Sequence, residues 1–350
     1  MSIVIIAVAT ESGVPIFSRK RGNSDNVQFS TIASLHGINM FSKCHNLSMV
    51  SAHVDNGNII WKEYCKSITL IGIATGGLEC DLELLLSCVF DAMIFTVSRK
   101  ELENIKNIDQ LKRELRQCYP LLDSLMESLD PNSVGSQLPT LVLDLIQSVF
   151  CPQAQQLQQA LDNYADRVTG RWACLCIHGH LVATSSDFQD LDPREARLLL
   201  LLASAQEGAP LRDTPVYLHK TSLFVNLDDY FLLVKGYTSS VVAFRAVICK
   251  LLADVYILVI CGATPALSQI DEIVLQCWEG YAQVIKEAKL IYPRNFPMIE
   301  LNIGYFYFTD KLNMTEVYWS SEYHKCHAQR SGNIICCALY SSSVPTHTMR

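Results

Sequence analysis

Short apolar runs dominate the first 75 positions, and their period reads as strands. Ile3 to Val8 is one continuous apolar run, and a second β-rich run, VPIFSR (14–19), follows Glu11-Ser12-Gly13. Two such runs around a glycine turn predict a β-hairpin. From Phe29 to Phe41 the spacing becomes helical. Phe29, Ile32, Ala33, Met40 and Phe41 fall on one face, with Leu35 and Ile38 well off it. Three strand-like runs follow, LSMVSAHV (47–54), IIWKEYC (59–65) and ITLIGIA (68–74). Asp55-Asn56-Gly57-Asn58 predicts a hairpin turn between the first two, because Asn-Gly suits positive φ. A helix over 78–97 is apolar nearly all round, which predicts burial on every side. A second, over 107–129, carries Ile108, Leu111, Leu115, Leu122, Leu125 and Leu129 on one stripe. Asn107 and Gln110 suit a capping box at its start, and Pro120 predicts a kink or break. The order β-β-α-β-β-β-α-α gives an antiparallel sheet with helices on both faces, an α+β fold.

The pattern then repeats. A polar linker (130–136) leads to helical runs at 138–149 and 153–168, joined at Cys151-Pro152. A second sheet begins at WACLCIHGHLVATSS (172–186), with Gly179 as its turn. Asp192-Pro193 is an N-cap and N1 pair for a helix through the leucine run 198–202. Strand-like runs return at 215–219, 223–226, 230–234, 241–250 and 254–261, and a helix over 267–290 closes the unit. ITLIGIATGG before one long helix and YILVICGATP before the other mark two diverged copies of one plan. A third unit starts near Met298, with IELNIGYFYF (299–308) and MTEVYWSS (314–321) as strands. The tail SGNIICCALYSSSVPTHTMR (331–350) has no clear period, and this unit reads as partial or truncated.

Composition narrows the function class. Hydrophobic residues make up 49% of the 350 and charged residues 18%, which excludes a disordered chain and suits a subunit that buries faces against partners. The net charge is -7, with no basic stripe beyond Arg19-Lys20-Arg21-Gly22, which reads as a basic turn. Nucleic-acid binding is therefore not expected. The 14 cysteines sit in apolar periodic segments, as buried reduced thiols of a cytoplasmic protein would. No apolar stretch has the roughly 18–20 residues needed to span a bilayer. The opening run lacks a positive n-region and a cleavage pattern, so it does not read as a leader. With only Gly13 in its turn, it does not read as a dinucleotide fingerprint either.

Candidate chemistry is sparse. Gly76-Gly77 and Gly262-Ala263-Thr264-Pro265 lie between strand and helix, where phosphates bind, but no Lys-Ser or Lys-Thr follows, and Glu79, Asp81 and Glu83 would repel a phosphate. Structural turns serving the helix dipole explain them. His324, Cys326 and His327 with Cys336 and Cys337 are metal-ligand types whose spacing matches none of the usual zinc patterns. Cys174 and Cys176 alternate along a strand, which favours core packing over a redox pair. Asp228-Asp229 reads as a solvated turn. No nucleophile elbow is present, and no catalytic, cofactor or metal residue is assigned. Helix 29–41 has apolar groups on more than one face. It is either a helix buried between layers or a partner-binding helix with Leu35 and Ile38 left over for another chain.

Particular words then match a known family. SGVPIFSR (12–19), IASLHGINMF (32–41), IIWKEYCKSITLI (59–71), VFDAMIFTV (89–97), LENIKNIDQLKREL (102–115) and ATPALSQIDEIVLQCWEGY (263–281) closely resemble the Fuzzy planar cell polarity effector family. The likeness runs in order over about residues 1–300, and the chain looks like an insect or other invertebrate member. The resemblance implies tandem longin-like domains, each an antiparallel five-stranded sheet flanked by helices: 1–130, 137–292 with leading helices 138–168, and a partial third at 297–350. It implies a non-catalytic subunit of a ciliogenesis and planar polarity effector complex, with an Inturned-like longin protein, a WD-repeat partner and a Rab-type or Rab-like small GTPase. It places the chain in the cytoplasm, at the cytoskeleton and base of the cilium, with peripheral membrane association through the complex. The partner-binding residues it suggests lie in helix 29–41: Ile32, Leu35, His36, Ile38, Asn39 and Met40. Two stretches depart from the family: 220–240 is longer, and the end after about 320 does not read like its third domain.

Overall fold

The structure is a computed structural model. It describes residues 2–22, 27–54, 57–75, 79–127, 146, 148, 151, 153–204, 210–218, 243–291, 316–320, 324–331, 334–341 and 343. Residues 1–294 form one compact unit and 295–350 another.

The opening apolar run forms β1 (Ser2–Ala9), paired antiparallel with β2 (Pro15–Gly22). Helix α1 (Phe29–Cys44) follows, then β3 (Ser51–Val54), β4 (Gly57–Tyr64) and β5 (Ile68–Thr75). The five strands are antiparallel in the order β2-β1-β5-β4-β3. Asp55, Asn56, Gly76 and Gly77 lie outside the described residues. β1 is buried on both faces, and its period of two divides it cleanly. Ile3, Ile5 and Ala7 enter one core cluster, while Val4, Ile6 and Val8 enter another with Ile32 and Leu35 of α1. Arg19-Lys20-Arg21-Gly22 belongs to β2 and is not a turn. Arg19 pairs with Asp123, and Arg21 with Glu127 at 2.6 Å.

Helices α2 (Glu79–Thr96), α3 (Arg99–Glu103), α4 (Ile108–Glu114) and α5 (Tyr119–Glu127) complete the first half. The segment expected as one helix divides through a 3-10 turn at Leu115–Cys118, just before Pro120. Asn107 Oδ1 accepts from the Asp109 and Gln110 backbone N–H groups. The Gln110 side chain bonds Glu114 instead of turning back, so the cap is made by Asn107 alone.

The second half repeats the plan: α6 (Ala154–Arg167), β6 (Trp172–Ile177), β7 (His180–Thr184), α7 (Pro193–Ser204), β8 (Leu211–Val216), β9 (Phe244–Leu252), β10 (Val255–Cys261), α8 (Leu267–Trp278) and α9 (Ala282–Ile291). Its sheet order, β7-β6-β10-β9-β8, matches the first strand for strand. The strand-like runs at 223–226 and 230–234 and Asp228-Asp229 lie outside the described residues, as does most of 138–149. From that last segment, Ser148 makes an isolated parallel bridge to Leu181.

The two halves share one core. Trp172, Cys174 and Cys176 of β6 point into the cluster that also holds Leu121, Leu122 and Leu125 of α5 and Val89 of α2. Between them lies α7, buried from Glu195 to Ala203. It packs on β10 on one side and on α2 and α5 on the other. The Tyr217 N–H donates to the Phe95 carbonyl at 2.8 Å, and Arg197 reaches Cys88 Sγ at 3.4 Å. On its far face the second sheet is covered by α6, α8 and α9 through Leu157, Leu161, Ile270 and Trp278. The layers of this unit therefore run α1, first sheet, α2/α4/α5, α7, second sheet, α6/α8/α9. In the 295–350 unit, β11 (Glu316–Ser320), β12 (His324–Ser331) and β13 (Ile334–Ser341) form an antiparallel three-stranded sheet. β13 falls in the tail that showed no period, and 299–308 lies outside the described residues.

Candidate partner-binding face

At the end of this stack, among the described residues, α1 covers one face of the first sheet. Its rotation is set by contacts distant in sequence. Ile32, Leu35, His36 and Asn39 are its buried residues, spaced i, i+3, i+4, i+7. The Trp61 indole N–H donates to the Leu35 carbonyl at 3.2 Å. Lys43 pairs with Glu63 on β4. Gly13, at φ +67, brings the β1–β2 turn against the His36 ring so closely that a Cβ there would stand 2.5 Å from Cδ2. Burial, then the nearby Lys43 charge, holds the His36 imidazole below its ordinary pKa. Its Nδ1 is buried without a hydrogen-bond partner.

This corrects the face drawn from the sequence. Counting apolar residues turns Phe29, Ala33 and Phe41 toward the sheet and Leu35 away. Instead Phe29 and Phe41 are each 67% exposed and Ala33 is exposed, while Leu35 is buried. Two apolar stripes compete on this helix. The one docked is the stripe that can also seat Trp61, Gly13 and Glu63. Of the six residues suggested for partner contact, Ile32, Leu35, His36 and Asn39 serve the chain's own fold. Met40 is half-buried and Ile38 is exposed at 45%.

The exposed remainder is concentrated. Ten large hydrophobic side chains are exposed among the described residues, and six of them, Phe29, Ile38, Phe41, Leu47, Val50 and Val54, fall between positions 29 and 54. Phe29, Ile38 and Phe41 stand on α1, Leu47 and Val50 in the connection that follows, and Val54 on β3, the short outer strand of the sheet. Leu47 and Val50 were hidden from sequence reasoning because LSMVSAHV reads as one strand from 47 to 54. β3 begins only at Ser51; before it Leu47 and Val50 are exposed, while Met49 is half-buried against the cluster under α1. The face carries little charge: α1 has no acidic residue, and Lys43 is engaged by Glu63. Exposed apolar side chains in this number make the segment a candidate for contact with another protein.

Other candidates do not assemble. Cys174 and Cys176 are fully buried, with sulfurs 3.9 Å apart, in the shared core. Glu83 pairs with Lys62. Among the described residues, no three His, Cys, Asp or Glu side chains are grouped to hold a metal, and no helix is long and apolar enough to cross a membrane. Of the His324 to Cys337 group, only the His327 side chain is described. It is buried.

Known proteins resemble the chain along both sheets. Family models described as the first and the second longin domain of FUZ, MON1 and HPS1 match residues 4–125 and 170–279. The Protein fuzzy homologs of Xenopus tropicalis and Homo sapiens are each 31% identical to it, over 302 and 306 residues. Those alignments cover 85% of this chain and 66% and 67% of the relatives, so the chain spans about two thirds of their length. The Rattus norvegicus homolog is 29% identical over 306 residues.

Proposed function

The chain belongs to the Fuzzy family of longin proteins, and on that premise we propose that it is a non-catalytic scaffold subunit acting through protein contacts. It pairs through its first longin domain with an Inturned-like longin protein, and the pair acts on or recruits a Rab-type small GTPase in cilium assembly and planar cell polarity. A WD-repeat planar polarity effector is the third member of that assembly. The complex works in the cytoplasm, at the cytoskeleton and ciliary base.

The observation that carries this reading is the outer face of α1. Phe29, Ile38 and Phe41 stand exposed on a helix whose opposite face already satisfies the sheet beneath it. Burying such side chains gives roughly 1.5–3 kcal/mol each relative to exposure, enough for a few of them to dominate an interface. Exchange of nucleotide would follow from displacing the GTPase switch regions, a task that needs shape and contact but no titrating group.

The test is nucleotide release from a Rab-type GTPase loaded with a fluorescent GDP, measured with this chain alone, with the Inturned-like partner alone and with both. Acceleration that requires both chains supports the reading. Stable pairing without acceleration makes the chain a longin-type trafficking adaptor, and failure to pair refutes the proposal.

A further inference from the structure

Docking, more than its own sequence, keeps α1 helical. Its N-cap, Gln28, makes no side-chain cap bond, and its first turn holds no acidic residue to meet the helix dipole. Gly37 lies in its interior, where an added Cβ would meet nothing within 4 Å, so this glycine weakens the helix without serving its packing. Four of its 16 residues are buried, Ile32, Leu35, His36 and Asn39. Lifted from the sheet, such a helix would also melt, because isolated helices of this length are marginal in water.

One of those four buried residues is titratable, and its seat suits only the neutral ring. Gly13 closes one side of the His36 imidazole, and among the described residues Nδ1 has no hydrogen-bond partner. The elements around the ring bring no available counterion. β1 and β5 carry no titratable side chain, and β2 brings only cations, Arg19, Lys20 and Arg21. On β4, Glu63 is committed to Lys43 and Lys62 to Glu83, while His53 of β3 bonds Asn58. Glu11 in the β1–β2 turn is exposed. The β4–β5 turn, tied to it by the Thr10 N–H and the Ser67 carbonyl at 2.8 Å, adds the exposed cation Lys66. Past the end of α1, His45 packs edge-on against Phe41. Protonation would make both ring nitrogens donors and place a charge near Lys43, with no acceptor at Nδ1.

We propose that α1 is a proton-released clasp: protonation of His36 lifts the helix from the first sheet while both sheets stay folded. The ring docks when neutral, so proton uptake belongs to the lifted state. Burial, then the Lys43 charge, holds the docked ring below its ordinary value. Docking is therefore at full strength above about 6.5 and weakens as pH falls, with opening growing up to about tenfold per pH unit until the lowered value is passed. The clasp works whatever the outer face of α1 contacts, so it stands or falls apart from the pairing proposed above.

Hydrogen exchange of the full chain at pH 7.5, 6.5 and 5.5, corrected for the chemistry of exchange itself, reads this opening. The α1 amides should exchange faster than those of β1 at each pH, and their opening should grow about tenfold between pH 7.5 and 5.5. His36→Gln, polar but unable to take a charge, should remove the rise. Lys43→Met, which takes away the neighbouring cation, should shrink it, and this variant carries the test if His36→Gln does not fold. Protection of α1 equal to that of β1, a flat pH response, a rise that survives His36→Gln, or one unchanged in Lys43→Met overturns the proposal.

Discussion

Replacing Gly13 with alanine should unseat α1, and the size of the effect follows from two terms. Gly13 sits at φ +67, where an L-residue costs about 1–2 kcal/mol. The new methyl would stand 2.5 Å from His36 Cδ2, and overpacking of this kind costs about 1–3 kcal/mol. Gly13→Ala should therefore lose about 2–5 kcal/mol of stability. The two terms can be separated. Removing the imidazole with His36→Ala gives the methyl room but leaves the backbone strain. In a double-mutant cycle, Gly13→Ala with His36→Ala should be less destabilised than the sum of the singles by about 1–3 kcal/mol. Urea unfolding of the four proteins at matched m-values measures this, and hydrogen exchange at α1 amides shows whether the helix loosens first. Additivity within about 0.5 kcal/mol would show that Gly13 and His36 do not touch, and the account of how α1 is oriented would fail.

Four other outcomes are expected. Ile38→Asp and Phe41→Asp should abolish pull-down of the longin partner with stability changed by no more than about 0.5 kcal/mol, whereas Leu35→Asp should unfold the first sheet, because it buries an unpaired carboxylate. Calorimetry beside the pull-down distinguishes the two classes. Leu199→Ala, in the middle of α7, should cost about 2–5 kcal/mol and lower protease resistance in both longin halves together; nicking confined to one half would contradict the shared core. Burial, then the Lys43 charge, lowers the folded pKa of His36 below the unfolded value of about 6.5, so well above that pH the ring is uncharged in both states. As pH falls below about 6.5, the unfolded chain takes up the proton first and stability drops until the lowered folded value is passed. His36→Phe should flatten that slope in urea midpoints recorded from pH 7.5 to 5. Lastly, native alkylation should label Cys44 well before Cys118, Cys174 and Cys176, which are fully buried; mass spectrometry of timed digests reads the order.

The sheets were legible because their strands are buried on both faces, so β1, β5, β6 and β10 announce themselves as apolar runs regardless of what covers them. The repeat was legible for the same reason, and identical strand orders bear it out. The rotation of α1 was not. Its apolar residues fit two faces, and the arbiters lie elsewhere: Gly13 in the β1–β2 turn, Trp61 and Glu63 on β4. Nor could the sequence show that the leucine run 198–202 faces a sheet on one side and the helices α2 and α5 on the other. A helix apolar all round says that it is buried, not by what. β13 escaped because SGNIICCALYSS alternates too poorly to separate strand from tail. Of the six residues of α1 suggested for partner contact, four face inward, because burial on this helix is decided by the sheet and not by the count of apolar residues.

One further consequence follows from α7. The linker at 130–136 looks like a natural place to cut, yet the leucines that seal the inner side of the first longin half are supplied from beyond it. A chain stopped in that linker would not be a shorter working protein. Its α2 and α5 would be left wet and adhesive, and cellular quality control would clear it. Premature-stop alleles anywhere before α7 should therefore behave as nulls at the protein level, however much of the first sheet they encode, and immunoblots of such alleles should show an empty lane rather than a stable fragment.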